Sequence, residues 1–257
     1  MSDVRIERNG HIASVTLSNP GKLNALDVAM WRKLAQAFTE LSADESLRCV
    51  IVRGDGGNFA AGADIEEFAD VRSTMEQGMR YHEETVGNAL LAVSRCQHPT
   101  VAAIEGACVG GGLEIACACD IRIAAPSARF GIPINRLGFP LAPGELQHFL
   151  ALVGKAAALE ILLEGRVFDA AEAKDKGLVQ RIAEDVQGET RRTAERIAKG
   201  APLAARMNKK LVQRLAPPVA PLTDEELREA FACLASQDYR EGVQSFLDKR
   251  PPVFSGK

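Results

Sequence analysis

The stretch that most constrains the fold is residues 99–120, PTVAAIEGACVGGGLEIACACD, which reads as strand, glycine turn, helix. Val101 to Ile104 form a short apolar run entered through Pro99, as suits a buried strand. Gly110, Gly111 and Gly112 follow, and three glycines in a row let the backbone turn sharply and come close to another group. Leu113, Ile115, Ala116 and Ala118 continue in helical fashion, with Glu114 in the first turn. A helix start offers free N–H groups and a partial positive charge, so it can hold a developing oxyanion. Glu114 then sets a candidate acid/base beside that anion site, although a glutamate in a first turn also serves as a plain cap. The rest of the chain has to decide between the two.

At 257 residues the chain can bury a sizeable core as one large domain, or as one domain with an appendage. A composition 46% hydrophobic and 25% charged is that of a globular protein, and a net charge of −3 gives no electrostatic reason to expect nucleic acid or an anionic membrane. The six cysteines, Cys49, Cys96, Cys108, Cys117, Cys119 and Cys233, sit mostly in apolar runs. No second pair answers Cys117 and Cys119 with zinc-like spacing, so they read as reduced, buried small hydrophobes and no metal site is expected. The opening MSDVRIERNG lacks the apolar core of a signal peptide, and 18 uninterrupted apolar residues occur nowhere. A cytoplasmic protein without a membrane span is the expectation.

In chain order, alternation on either side of Asn9-Gly10, over residues 4–8 and 11–17, signals a hairpin. Asp27 suits the N-cap of a helix reaching about Leu41, and residues 49–52 a buried strand. Residues 58–65, NFAAGADI, are small enough for a ligand to approach the backbone, with Asp64 placed to cap the next helix. A helical stretch is expected over 74–96, a strand over 121–124 and an irregular segment over 130–140. Helices come next at 144–152, 156–163 and 170–176, then a short strand at 178–182 and an amphipathic helix at 185–199. The remainder, 203–215, 224–235 and 238–249, is helical, interrupted by APPVAP at 216–221. A soft boundary near 200–202 separates an α/β core of repeated strand–helix units, residues 1–200, from a helical C-terminal region, residues 201–257. His11, His82, His98 and His148 show no convergent spacing and read as ordinary surface or core residues.

Together these stretches resemble the crotonase superfamily, also called the enoyl-CoA hydratase/isomerase family. The resemblance is carried by Asn19-Pro20 with Leu23-Asn24-Ala25-Leu26, by Phe59-Ala60-Ala61-Gly62-Ala63-Asp64-Ile65, and by residues 106–120. It continues through Ala128-Arg129-Phe130-Gly131, Gly165-Arg166 and residues 170–179, and ends at FLDKR (246–250) and FSGK (254–257). It implies an α/β fold, a right-handed crotonase-like spiral of repeated ββα units with a C-terminal helical trimerisation region. The implied substrate is an acyl-CoA thioester, with coenzyme A bound as part of it and no separate cofactor, in a homotrimer or a dimer of trimers. It also implies that the backbone N–H groups of Ala63 and Gly111 hold the thioester oxygen and that Glu114 is the first of two catalytic glutamates. Ala25, Ala61, Asp64, Ile65, Gly110, Ile134 and Ala142 are the expected substrate-binding residues, with Phe246, Lys249 and Lys257 of the tail near the coenzyme A. The chemistry fits such a site: adding water across a conjugated C=C, or removing an α-proton, builds charge on the thioester oxygen, and one fixed N–H donor there is worth ~3–4 kcal/mol.

The second glutamate of the hydratases should stand four residues after Phe130, where this chain has Ile134. Another acidic position of the family, twelve after Phe130, is Ala142. Glu145 is near it in sequence and reads as a helix-start carboxylate favoured by the dipole. Glu66, Glu67 and Asp70 read as a solvated face. The leading expectation is hydration of a 2-enoyl-CoA with Glu114 as base. Isomerisation, thioester hydrolysis or decarboxylation through the same enolate remain open, as does a CoA-thioester binder that has lost catalysis at Ile134.

Overall fold

The computed structural model describes residues 1–216 and 223–253. Strands β1 (Asp3–Asn9) and β2 (Ile12–Ser18) form the expected hairpin, with the turn one residue later than the Asn-Gly pattern suggests: Asn9 still pairs with Ile12, and Gly10 and His11 make the turn. Helix α1 (Val28–Ala43) is capped as predicted by Asp27, whose carboxylate accepts from Met30 N at 2.7 Å. After β3 (Cys49–Gly54) come the short α2 (Phe68–Val71) and α3 (Met75–Arg80), a π-helical turn over Tyr81–Val86, and α4 (Gly87–Arg95). The single helix expected over 74–96 is thus interrupted by a wider turn. Next are β4 (Thr100–Ile104), β5 (Ala107–Val109), α5 (Gly111–Ala118), β6 (Ile121–Ala124), β7 (Arg129–Gly131) and a 3₁₀ turn, Pro133–Leu137. The chain continues through α6 (Pro143–Glu164), β8 (Phe168–Asp169), α7 (Ala170–Asp175), β9 (Arg181–Ile182) and α8 (Val186–Lys199). The C-terminal helices are α9 (Pro202–Leu215), α10 (Asp224–Phe231) and α11 (Gln237–Leu247).

The strands make two sheets. One runs β1-β2-β3-β4-β6-β9, parallel from β2 onward, and the other runs β5-β7-β8. Units such as β4-β5-α5 place one strand in each sheet before a helix, which is the ββα repeat of the expected spiral. Strands β5, β7 and β8 have three or two residues, too few for alternation to reveal them in the sequence. The strand expected at 178–182 shrinks to Arg181–Ile182, because Leu178 and Val179 donate to Ala173 O and close α7. Helix α6 joins two predicted helices across Gly154, which sits at φ 71°, ψ 171°. By length and composition α6 is apolar enough to cross a membrane, with a mean hydropathy of 1.5, yet this break divides it.

The central strands are buried on both faces. Val50, Val52, Ala102 and Ile104 face the main core with Trp31, Leu34, Phe38, Leu90 and Leu113, while Cys49, Ile51, Val101, Ala103 and Ile123 face α8 through Val186 and Ala194. A third cluster, Phe139, Ala142, Phe231, Leu234 and Tyr239, forms where α10 and α11 close over the segment before α6. The C-terminal helices are tied to the core: Lys209 of α9 pairs with Asp120 at 2.7 Å, and Arg206 donates to Glu45 O at 2.9 Å. The five cysteines whose side chains are described, Cys49, Cys96, Cys108, Cys117 and Cys119, are free and buried. The side chain of Cys233, residues 217–221 of the predicted break, and the tail residues Phe254, Ser255, Gly256 and Lys257 lie outside the described part.

Helix α5 is only 8 residues long and needs an anchor at its far end. The buried Arg122 supplies it, donating to Cys119 O at 2.5 Å, Ala116 O at 3.2 Å and, across to the next unit, Leu178 O at 2.7 Å. Hydrogen bonds from a charged donor contribute about 1.5–3 kcal/mol each, and a buried carbonyl left unpaired carries a desolvation penalty. Arg122→Met should therefore lower the unfolding free energy by about 3 kcal/mol in a urea titration. A change below about 1 kcal/mol would mean that α5 is held by packing alone.

Candidate active site

The two loops expected to hold an oxyanion meet in the structure. Ala60 bridges Cys108 in parallel, Val109 N donates to Ala60 O at 3.0 Å, and Ala63 bridges Leu26. Contact this close excludes side chains: a Cβ on Gly112 would lie 2.1 Å from Ala60 O, and one on Gly111 would lie 2.8 Å from Trp31 Cζ2 and 3.6 Å from Ala63 N. Gly110 turns the chain at φ +51° and hands it to α5, whose first residue is Gly111. Among the described residues, neither Ala63 N–H nor Gly111 N–H donates a hydrogen bond. Two amides close together and unspent make a site for one oxyanion.

Glu114 sits beside them, one turn into α5, with its N–H on Gly110 O at 3.0 Å and its carboxyl sealed from solvent. Burial pushes its pKa well above the carboxylate range, and the charge of Glu145 raises it further while Arg72 opposes. Glu145 comes from the first turn of α6 and is 3% exposed; burial pushes it up to about 8 against the opposing pull of Arg72. His82, from the π-helical turn, places Nδ1 2.5 Å from Glu145 Oε1. Burial holds the imidazole well below 6.5, so it is neutral at pH 7. A neutral ring can meet this carboxyl in either of two ways, by accepting its O–H at Nδ1 or by donating Nδ1–H to its carboxylate. The ring is clamped, stacked on Phe139 at 5.0 Å and edge-on to Tyr81 at 5.1 Å, while its Nε2 is buried without a partner. Arg72, just beyond α2, is 1% exposed, with its guanidinium 4.1 Å over Phe68 and 4.4 Å from the centre of Phe139.

The structure corrects two expectations here. Glu145 does stand in the first turn of α6 as expected, with its carboxyl buried against His82, whereas His82 is no ordinary core histidine, since it holds that carboxyl. Glu67 also leaves the expected solvated face, accepting from Val28 N at 2.7 Å at the start of α1; Glu66 pairs with Lys22, and Asp70 is exposed. Of the expected substrate residues, Ala25 is buried and Ala61 half-buried beside the loop, and Gly110 forms the turn. Asp64 is occupied by Lys22 at 2.7 Å and by Glu66 N, while Ile65 opens a short 3₁₀ turn. Ile134 and Ala142 join the Phe139 cluster, an apolar wall. Phe246 is exposed on α11, and Lys249 follows that helix at φ +54°. Open clefts of about 550 and 440 Å³ lie elsewhere, one against α8 and one beside the N-terminus. Arg72 carries no signal in the sequence. The one available hint for Glu145 is its company, a lone carboxylate among Leu141, Ala142, Leu146 and Phe149.

The sequence model of the enoyl-CoA hydratase/isomerase family matches residues 7–257. The chain is 37% identical over 257 residues to probable enoyl-CoA hydratase echA8 of Mycobacterium bovis, covering 98% of this chain and 97% of the relative. A solved enoyl-CoA hydratase/carnithine racemase from Magnetospirillum magneticum is 48% identical with a TM-score of 0.82, covering 100% of this chain and 97% of that one. A methylmalonyl-CoA decarboxylase in complex with 2-nitronate-propionyl-CoA is 25% identical with a TM-score of 0.86, covering 99% and 98%.

The raised Glu145 pKa links the site to stability. A carboxyl raised from 4.5 unfolded to about 8 folded stabilises the fold below its unfolded value and loses that contribution as pH climbs through the folded one. The melting temperature should therefore fall between about pH 5 and pH 8, and Glu145→Gln, which cannot ionise, should flatten the fall. Calorimetry across that range reads the effect; equal slopes in the two proteins would refute the raised pKa.

Proposed function

The chain belongs to the enoyl-CoA hydratase/isomerase family, and from that premise we propose that it adds water across the double bond of a 2-enoyl-CoA through a thioester enolate. The observation that carries the proposal is the interacting pair of buried carboxyls, Glu114 and Glu145, beside the two unspent N–H groups of Ala63 and Gly111. Two carboxyls in one sealed site resist ionising together, so the pair keeps at least one proton, and loss of the other leaves a base and an acid side by side. In the proposed reaction the ionised carboxyl takes a proton from water as the oxygen bonds to the β-carbon. The π electrons move onto the thioester oxygen, held by the two amides, and the protonated carboxyl then delivers its proton to the α-carbon. Water and enoyl thioester are consumed and the 3-hydroxyacyl thioester forms; the pair still holds the same number of protons, and passage of one back between the two carboxyls resets the site.

Glu145 supplies the second carboxyl that Ile134 lacks, which removes the main support for a non-catalytic binder. The acyl chain would lie against Ile134 and Ala142, and coenzyme A enters as part of the substrate, with no separate cofactor. Phe246 and Lys249 would contact its nucleotide end from a neighbouring subunit. A reducing, cytoplasmic setting suits the five free buried cysteines. Assembly as a homotrimer or a dimer of trimers is supported by α9, where Leu203, Met207, Leu211 and Leu215 recur every four residues and are all exposed in the single chain.

Glu114→Gln and Glu145→Gln should each lower kcat for hydration by roughly 10²–10⁴-fold while acyl-CoA binding survives. Ile134→Glu should bring no gain, because the second carboxyl already stands at Glu145. Wild-type turnover in either glutamine variant would defeat the pair. For assembly, light scattering of the wild type should give a mass of three or six chains, and Met207→Glu with Leu211→Glu should reduce it to one. A monomeric wild type would overturn the assembly proposal.

A further inference from the structure

Resting on the acyl-CoA reading above, we propose that the acyl group this protein accepts carries a carboxylate of its own, gripped by Arg72. The guanidinium of Arg72 is sealed in the protein, yet neither Glu114 nor Glu145 forms an ion pair with it, and both Nε and Nη2 are buried without a hydrogen-bond partner. A guanidinium remains protonated even when burial lowers its pKa, as it does here. An unpaired buried cation is among the costlier things a fold can contain.

The surroundings hold the cation without using its donors. Phe68 lies 4.1 Å from the guanidinium carbon, Phe139 4.4 Å and Tyr239 5.4 Å, so ring faces stabilise the charge. Such contacts take up none of the N–H donors in hydrogen bonds, and Nε–H and Nη2–H stay unspent. Nε–H and Nη2–H lie on the same edge of a guanidinium and point the same way. That edge is a two-pronged fork whose spacing matches the two oxygens of a carboxylate.

Position identifies which anion the fork is for. Arg72 lies 4.4 Å from the Phe139 ring on which His82 stacks at 5.0 Å, and His82 in turn meets Glu145 at 2.5 Å, so the guanidinium shares one aromatic cage with that carboxyl, where His82 Nε2 is a further unpartnered polar atom. A coenzyme A phosphate would present the same chemistry, but it belongs to the exposed end of the ligand, away from this sealed apolar wall. A carboxylate at the far end of a short acyl chain satisfies the location as well as the fork. The substrate class is therefore a mono-CoA thioester of a dicarboxylic acid.

Calorimetry tests this with glutaryl-CoA, its monomethyl ester, hexanoyl-CoA and free coenzyme A. Wild-type protein should bind glutaryl-CoA at least ~10-fold tighter than the ester or hexanoyl-CoA, the range expected for charge-assisted hydrogen bonds. Arg72→Gln should bring the three within about threefold, and Arg72→Lys should keep part of the preference, since it has the charge without the fork. Binding of free coenzyme A should be unaffected by either substitution; a loss there would mean that the fork serves a phosphate, overturning the proposal. Equal or tighter binding of the ester or hexanoyl-CoA by the wild type would overturn it too, and that comparison needs no variant to fold. Exchange of the α-proton of glutaryl-CoA in D₂O reads the enolate chemistry separately. A retained ~10-fold preference without exchange would refute the enolate reading and leave the role of Arg72 standing.

Discussion

The whole arrangement depends on one backbone contact, the approach of residues 108–112 to residues 60–63. Val109 N on Ala60 O and the Ala60–Cys108 bridge lock two chain segments so tightly that a Cβ at Gly112 would fall inside the Ala60 carbonyl. Everything chemical is positioned from that contact. It brings Ala63 and Gly111 together, starts α5 there, and fixes Glu114 one turn further along. Because main-chain atoms form the donors, their geometry is set by the sheets and costs no side-chain ordering when charge develops.

Around this rigid seat the protein brings four ionisable side chains into an environment that disfavours charge. Glu114, Glu145 and His82 are driven toward their neutral forms by burial, and Arg72 remains cationic against aromatic faces. The separate segments that contribute them, α5, α6, the π-helical turn and the end of α2, are cemented by Phe68, Phe139, Phe231 and Tyr239. The C-terminal helices belong to this wall through Phe231 and Tyr239, so the helical region is part of the site's enclosure as well as a candidate for contact between subunits.

What could be read from the sequence divides along the same line. Glycine turns, the N-cap at Asp27 and the strand-to-helix passage through Glu114 are local: their physical reason lies within a few neighbouring residues. Glu145, His82 and Arg72 carry no such signal, because what makes each unusual is burial against residues distant in the chain. Glu145 is the instructive case. A glutamate in a first helical turn has a sufficient local explanation, and only the fold shows that its carboxyl, besides accepting from the Ala142 backbone at the helix start, is buried against His82. The isoleucine at 134 is legible in the sequence, whereas the burial of Glu145, brought in by another element, is not.

The π-helical turn at Tyr81–Val86 carries a consequence for comparing this chain with its relatives. Such a turn holds one residue more than an α-turn, and each residue of a helix advances about 100° around the axis. Side chains before and after it therefore fall out of phase with those of an uninterrupted helix. Against a relative whose helix is uninterrupted here, an alignment without a gap would pair side chains beyond the turn with residues pointing elsewhere. Homology across residues 75–95 has to be judged by direction in space, one side chain at a time.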